Sequence, residues 1–332
     1  MDQRPPLISV VIPAYNVQGT LDVCLDALEQ QTLPREHYEI IVVDDGSTDG
    51  TQGIVANRDV VMIHQPHRGA AAARNAGAHR AQGEIILFTD ADCVPGLNWI
   101  EAMTIPFSDE DVIGVSGRVC TQQEGLVPWF VQLEYDNRYE NIARHAYIDF
   151  INTATGAYRR EIFLKSEGFC EDLLGAEDAE LSFRLASEGH KMVFAPEAIV
   201  YHSHPESILE YAQRKYHYGY WRMMVYRRYP HKAVADSRTP QTQKIQIGLL
   251  FLLVAAAIGS IFWRGFLWLA GGFAASVFLT LLPFWWRAIR KDLEVGLLTP
   301  LFLLVATVSV GAGVIASLTC EWIRKFKVAE HP

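Results

Sequence analysis

Two carboxylates one residue apart, Asp90-Ala91-Asp92, directly follow the apolar run Glu84–Thr89. Left side by side and unpaired they repel, and one is pushed toward protonation; a divalent cation removes the conflict. Hard oxygen ligands select magnesium or manganese, and such an ion can hold a diphosphate. The chain contains no G-x-x-x-x-G-K-[ST] string, so a phosphate would be held here through metal and not through a P-loop. Two further apolar runs end in comparable stretches. Leu7–Ile12 leads into Pro13-Ala14-Tyr15-Asn16, and Glu39–Val43 into Asp44-Asp45-Gly46-Ser47. Any one of them would pass for an ordinary turn, but three at one sheet edge mark a ligand site. A second acidic cluster, Gly175-Ala176-Glu177-Asp178-Ala179-Glu180, precedes a helical segment and can supply a general base.

The elements that position these residues alternate strand with helix. Helical spacing of Leu21, Cys24, Leu25 and Leu28 follows the first strand. Val60–His64 reads as a third strand, Gly69–Ala81 as an Ala-rich helix, and Glu84–Thr89 as the fourth strand. Continuous apolar strands separated by helices predict an α/β domain with a parallel sheet covered on both faces. In such sheets ligands bind beyond the carboxyl ends of the strands, where the acids lie. Residues 110–205 read as mixed α/β, closing in two short strands, Met192–Ala195 and Ile199–Tyr201.

Charge divides the 332-residue chain. Residues 1–205 carry 14 Lys+Arg against 31 Asp+Glu, residues 206–332 carry 15 against 7, and the whole has a net charge of −9. After Pro205 the segment Ile208–Tyr229 interleaves seven aromatic rings with five Lys or Arg residues, a mixture suited to a bilayer headgroup layer. Three uncharged runs follow, Ile245–Trp263, Phe266–Trp286 and Leu297–Cys320, each long enough to cross a hydrocarbon core of roughly 30 Å. RNA binding is the competing reading of such a segment, and the apolar runs beside it argue against it. The expected organisation is a catalytic domain over 1–205, an interfacial segment over 206–244, membrane helices over 245–323 and a tail over 324–332. Met1–Pro6 lacks the layout of a secretory signal, so the first domain is expected to stay in the cytoplasm. Five scattered cysteines fit a reducing compartment. Three spans would then put the basic tail outside, against the positive-inside tendency. Gly311-Ala312-Gly313-Val314-Ile315-Ala316 matches a dinucleotide-binding string, but it sits inside an apolar run. Ser309, Gly313 and Ser317 read instead as a small-residue stripe for close helix packing.

Taken together, Pro13-Ala14-Tyr15-Asn16, Val43-Asp44-Asp45-Gly46-Ser47-Thr48-Asp49, Asp90-Ala91-Asp92 and Glu177-Asp178 resemble, in order and spacing, family 2 glycosyltransferases of the GT-A fold, a Rossmann-like, mostly parallel architecture. The match runs from about Leu7 to about Tyr220. The resemblance implies inverting transfer from a nucleotide-diphosphate sugar (UDP-, GDP- or dTDP-linked) with Mg²⁺ or Mn²⁺. It implies that Pro13, Ala14, Tyr15 and Asp45 line the nucleotide pocket, with Asp45 accepting from the base. Arg74 would face the nucleotide-sugar, Asp90 the ribose or sugar, and Asp92 the metal. Asp178 would be the catalytic base, and Glu177 its neighbour. His202 resembles a third metal ligand, with His204 as the alternative. Gly156 and Ala157 fall in a stretch resembling the loop between donor and acceptor. Cys93, with no base beside it, reads as a packed thiol.

Processive members carry Gln-x-x-Arg-Trp before their membrane helices, whereas here Gln213 is followed by Tyr216-His217 at that offset. The expectation is therefore an integral membrane, non-processive glycosyltransferase acting on a lipid-linked acceptor such as a polyprenyl phosphate or diphosphate glycan. The alternatives are a processive polysaccharide synthase and an inactive membrane-bound scaffold of the same fold.

Overall fold

The computed structural model describes residues 8–173, 175–234 and 236–329. The Met1–Pro6 lead and the side chains of the basic tail lie outside it. The chain divides into two compact units, one of residues 1–122 and 139–203, the other of residues 123–138 and 204–332.

The first unit opens with β1 (Ile8–Ala14), α1 (Leu21–Glu29), β2 (Tyr38–Asp44), α2 (Thr51–Val55), β3 (Val61–His64), α3 (Ala70–Arg80) and β4 (Ile85–Phe88). β5 (Cys93–Pro95), α4 (Trp99–Thr104) and β6 (Val112–Cys120) come next, and α5 (Leu126–Ile142) contributes to both units. The unit closes with β7 (Gly156–Arg159), α6 (Arg160–Lys165), α7 (Glu177–Ser187) and β8 (Lys191–His202). All eight strands form one mixed sheet in the order β3-β2-β1-β4-β7-β6-β8-β5. β1 to β4 are parallel, as their continuous apolar runs require, and Val10, Val11, Ile41 and Phe88 are fully buried. β7 then runs antiparallel between β4 and β6.

The two short strands expected at 192–201 are a single strand, β8. Ser116 pairs with Phe194 and Arg118 with Ile199, so the intervening residues bulge out of the ladder. Pro196 falls in that bulge, where its missing N–H costs no ladder bond. The helix α3 lies close on the sheet because its inner face is small. Ala71, Ala72, Ala73 and Ala78 are buried, and a Cβ on Gly77 would come within 2.3 Å of Val11.

The second unit is helical: part of α5, then α8 (Ile208–Arg228), α9 (Pro230–Val234), α10 (Gln241–Gly259), α11 (Phe266–Lys291) and α12 (Leu293–Ala329). Ser207 caps α8, accepting from the backbone N–H of Glu210 at 3.1 Å. Three helices, Gln241–Gly259, Phe266–Lys291 and Leu293–Cys320, are long and apolar enough to cross a membrane. α11 runs on through Arg290 and Lys291, and only Asp292 separates it from α12.

On α8 the residues Tyr211, Lys215, Gly219, Arg222 and Val225 recur every three or four positions and are buried. Two cations expected in the headgroup layer therefore turn inward. Lys215 pairs with Glu134 at 2.8 Å, and Arg222 lies 3.5 Å from Asp236. The small-residue stripe on α12 faces α8. A Cβ on Gly313 would lie 2.1 Å from the carbonyl oxygen of Tyr216, and one on Gly219 2.3 Å from that of Val310. Both obstacles are backbone, so neither can swing aside.

Gly313→Ala should therefore force the two helices apart and destabilise the chain by about 1–3 kcal/mol. Gly271→Ala on α11, where an added Cβ meets nothing within 4 Å, should be neutral or stabilising by up to about 1 kcal/mol. Thermal unfolding in detergent checks the pair, and equal midpoints would contradict the packing described.

Candidate active site

The loops after β1 and β2 are laced together. Asn16, in the left-handed region at φ 52°, donates its N–H to Ser47 at 3.0 Å, and its side chain accepts from the N–H of Thr48 at 2.8 Å. Pro13 and Ala14 close β1 opposite Val43 and Asp44, and the Ala14 carbonyl accepts from the Asp45 N–H at 2.8 Å. Tyr15 projects from this junction, 45% exposed, and stacks on the ring of His67 with centroids 4.0 Å apart.

Asp44 and Asp45 are both buried but serve differently. Burial works to raise the Asp44 pKa, yet donation from Ser47, His64 and Gln52 outweighs it and holds the carboxyl below the ordinary range. Asp45 accepts from Gln65 Nε2 at 2.7 Å, from the N–H groups of Arg68 and Gly69 at 2.8 Å each, and faces His67 Nδ1 at 2.9 Å. These contacts engage both oxygens of the Asp45 carboxylate. Asp45 thus organises the loop entering α3 and holds the ring on which Tyr15 stacks. His67 and Gln65 carried no signal in the sequence, because their place depends on a loop folding back over β2.

Arg74 lies on the inner face of α3, 4% exposed. One guanidinium nitrogen reaches Asp90 Oδ1 at 2.5 Å and another Glu177 Oε1 at 2.9 Å. Burial would lower the Arg74 pKa, but Asp90 and Glu177 more than offset it, so the cation is held firmly. Burial raises the Glu177 carboxyl above its usual value against the pull of Arg74. Its second oxygen is buried with no hydrogen-bond partner among the described residues. Asp178 follows in the first turn of α7, where a carboxylate is favoured by the helix N-terminus. Its Oδ1 accepts from the Ala179 N–H at 2.6 Å.

Asp92 is about half exposed, and His202 Nε2 lies 3.2 Å from its Oδ2. The register makes them neighbours, since β5 pairs with β8 so that Cys93 stands opposite His202. Ligand atoms of Asp92, Cys93 and His202 all fall within 4.8 Å of one another. Burial, reinforced by Asp90 and Asp92, pushes the Cys93 thiol far up. Of the three, the Asp92 carboxylate is the donor best suited to manganese or magnesium. His204 is committed elsewhere, buried at 3.1 Å from Gln132 Oε1 and stacked on Tyr135. Gly156 and Ala157 begin β7 opposite Phe88 and Leu87, with Ala157 fully buried. The preceding Ala154 carbonyl accepts from Thr89 at 3.0 Å, tying this stretch to the strand end that delivers Asp90.

Comparison with known proteins points one way. The family model described as glycosyl transferase family 2 matches residues 9–166, and that described as glycosyl transferase family group 2 matches residues 132–314. The glycosyltransferase AglE of Haloferax volcanii is 28% identical over 216 residues, 61% of this chain and 68% of that protein. The pre-mycofactocin glycosyltransferase of Mycobacterium tuberculosis is 28% identical over 65% of this chain, and the match spans 48% of its own length. Among solved structures, the mannosyltransferase PcManGT of Pyrobaculum calidifontis, in complex with GDP-Man and Mn²⁺, superposes with a TM-score of 0.61 at 21% identity. That match covers 95% of this chain and 88% of PcManGT. S. aureus TarS gives a TM-score of 0.51 at 19% identity over 74% of this chain and 43% of its own. These structures share the fold, the two family models together account for residues 9–314, and the chain therefore belongs to glycosyltransferase family 2.

Proposed function

We propose that the protein is a membrane-anchored, inverting, non-processive glycosyltransferase that moves a sugar from a nucleotide-diphosphate donor to a lipid-linked acceptor, with Mg²⁺ or Mn²⁺ bound. The observation that carries this reading is the Arg74 bridge, which fastens the turn bearing Asp90 and Asp92 to the helix start bearing Asp178. The GDP-Man and Mn²⁺ in PcManGT support a nucleotide-sugar donor and a divalent ion for this chain.

In this reading the base of the donor enters beside Tyr15 and His67, whose exposed aromatic faces can take a third ring by stacking. Pro13 and Ala14 back that pocket, and Asp45 holds its wall. Asp90, with one oxygen committed to Arg74, turns the other to the ribose or sugar. Asp92 and His202 would hold the cation, whose chemistry is to offset the charge of the departing nucleotide diphosphate. Asp178 takes the proton from the acceptor hydroxyl as that oxygen bonds to the anomeric carbon. The carbon–oxygen bond to the diphosphate breaks on the opposite face, which inverts the configuration. Glu177, kept more basic by burial and with a free oxygen, sets the orientation of the first turn of α7.

Membrane anchoring rests on exposed apolar surface. Phe262 and Trp268 are more than four-fifths exposed, and nine-tenths of the apolar windows of α10 and α11, about 89% and 94%, are left unburied. Surface of that extent belongs in lipid. The basic residues Arg290 and Lys291 at the end of α11 suit the headgroup boundary on the catalytic side.

Asp178→Asn should reduce transfer by roughly 10²–10⁴-fold while donor binding stays nearly intact; parallel loss in calorimetric donor binding and in turnover would remove its assignment as base. Asp92→Ala should weaken Mn²⁺-dependent donor affinity by more than about tenfold, and an unchanged Mn²⁺ titration would strike it from the ligand set. Arg74→Met leaves two carboxylates without their buried cation and should cost about 3–5 kcal/mol. Chemical denaturation measures that cost, and a loss below 1 kcal/mol would show the bridge to be unimportant.

A further inference from the structure

The helical unit contains a cavity of about 170 Å³ bordered by the C-terminal part of α5, the start of α10 and the facing stretches of α11 and α12. One water needs roughly 10–15 Å³ of such space, so the cavity takes about twelve water-sized groups, as many as a hexose has non-hydrogen atoms. No residue assigned to sugar transfer lines it. Its charged groups are already engaged. Glu134 pairs with Lys215 at 2.8 Å, and its field helps to hold the Arg138 guanidinium charged against the cost of burial. Arg287 donates to Asn137 Oδ1 at 2.5 Å and is engaged further. No bound ion is needed to satisfy them.

What remains to meet an occupant is uncharged. Gln246 and Thr307 line the cavity and are more than nine-tenths buried. Gln246 donates to the Thr280 carbonyl at 3.4 Å and keeps its Oε1 as an acceptor. Thr307 donates to the Leu303 carbonyl at 2.8 Å and keeps its oxygen lone pairs. In the first turn of α10, the Thr242 hydroxyl and the Gln243 amide enter no hydrogen bond among the described residues and supply donors. Phe284 gives the lining an aromatic wall, fixed edge-on to Phe130 with ring centroids 6.0 Å apart. Donors and acceptors interspersed beside one aromatic ring suit a polyol ring. Each of its hydroxyls both donates and accepts, while its C–H groups cover the apolar wall.

We infer that this cavity seats an uncharged polyol ring of hexose size, and that the ring is the headgroup of a lipid. Water alone would use the same groups, and a polyol replaces it hydroxyl for hydroxyl. The depth of the cavity points to a lipid. Gln241-Thr242-Gln243-Lys244 is the polar start of α10 and the apolar run begins at Ile245, which sets the cavity at the edge of an apolar belt, the level of a headgroup. Pro283 and Leu303 extend the apolar side, along which the first carbons of a lipid chain leave the ring. The choice of a lipid rests on the membrane seat proposed above. A chain that washes off vesicles in alkaline carbonate would defeat that reading first, whereas a chain that stays and retains no glucoside defeats only this one.

The test is native mass spectrometry on the full chain in an amine-oxide detergent, which carries no sugar. The chain is titrated with octyl β-glucoside, with octyl tetraethylene glycol as the same tail on a ring-free head, and with free glucose. The glucoside should be retained as one adduct at least about tenfold more tightly than either of the others. Gln246→Leu, which keeps the bulk and removes the amide, should lower that affinity about three- to tenfold. Thr242→Trp, at an exposed lining position in the first turn of α10, should lower it at least about tenfold by filling the space, with little risk to folding. Arg290→Gln, at an exposed cation stacked on Trp286 outside the cavity, should change nothing. Equal retention of the two octyl compounds, or undiminished glucoside binding in both Gln246→Leu and Thr242→Trp, would overturn the site. Glucose bound as tightly as the glucoside would overturn the lipid as carrier and leave a free sugar in its place.

Discussion

A single buried cation holds the catalytic unit in working order. Arg74 is sequestered under α3, and a guanidinium there is tolerated only because Asp90 and Glu177 both reach it. The cost of burying one charge is thus offset by two carboxylates that come from segments almost ninety residues apart, one at the end of β4 and one at the start of α7. The same contact that keeps the arginine solvated fixes the distance between the two acidic stretches. Small residues make this possible: the alanines and Gly77 let α3 approach the sheet closely enough for Arg74 to lie beneath it.

Much of this was legible in the sequence, for physical reasons. The parallel strands β1, β2 and β4 are buried on both faces, so they appear as unbroken apolar runs, and their polar ends mark the edge where ligands collect, while β3 at the sheet edge alternates half-buried and exposed residues. The antiparallel half was less legible. β5 is three residues long and β7 four, too short for a periodic signal, and the bulge at Pro196 made β8 read as two strands. Asp45 stands in one of the sequence motifs, but its contacts with Gln65, Arg68, Gly69 and His67 are long-range and leave no local trace. The surroundings of His202 and His204 likewise depend on the strand pairing, which sets one beside Asp92 while the other meets Gln132.

The helical unit taught the opposite lesson about composition. Aromatic and basic residues along α8 suggested a surface lying on lipid. In the structure one stripe of that helix is a packed interior face, with Lys215 and Arg222 neutralised by Glu134 and Asp236. Composition cannot reveal which way a cation points; the three- and four-residue spacing of Tyr211, Lys215, Gly219, Arg222 and Val225 can. The glycines of α8 and α12 complete the argument, because only a helix meant to touch another at its backbone would leave both surfaces bare.

The pairing of β5 with β8 has a wider meaning. Asp92 and His202 stand 110 positions apart in the chain, yet their separation in space is set by an antiparallel ladder in which Cys93 faces His202. Side chains alternate faces along a strand, so sliding this ladder by one residue would turn the histidine to the other side of the sheet. These two side chains are therefore spaced by peptide hydrogen bonds and not by flexible loops. In the proposed reading, the surrounding loops are free to diversify for new sugars and acceptors while that pair stays in place, which is a way for one scaffold to change its customers without re-learning how to grip a diphosphate.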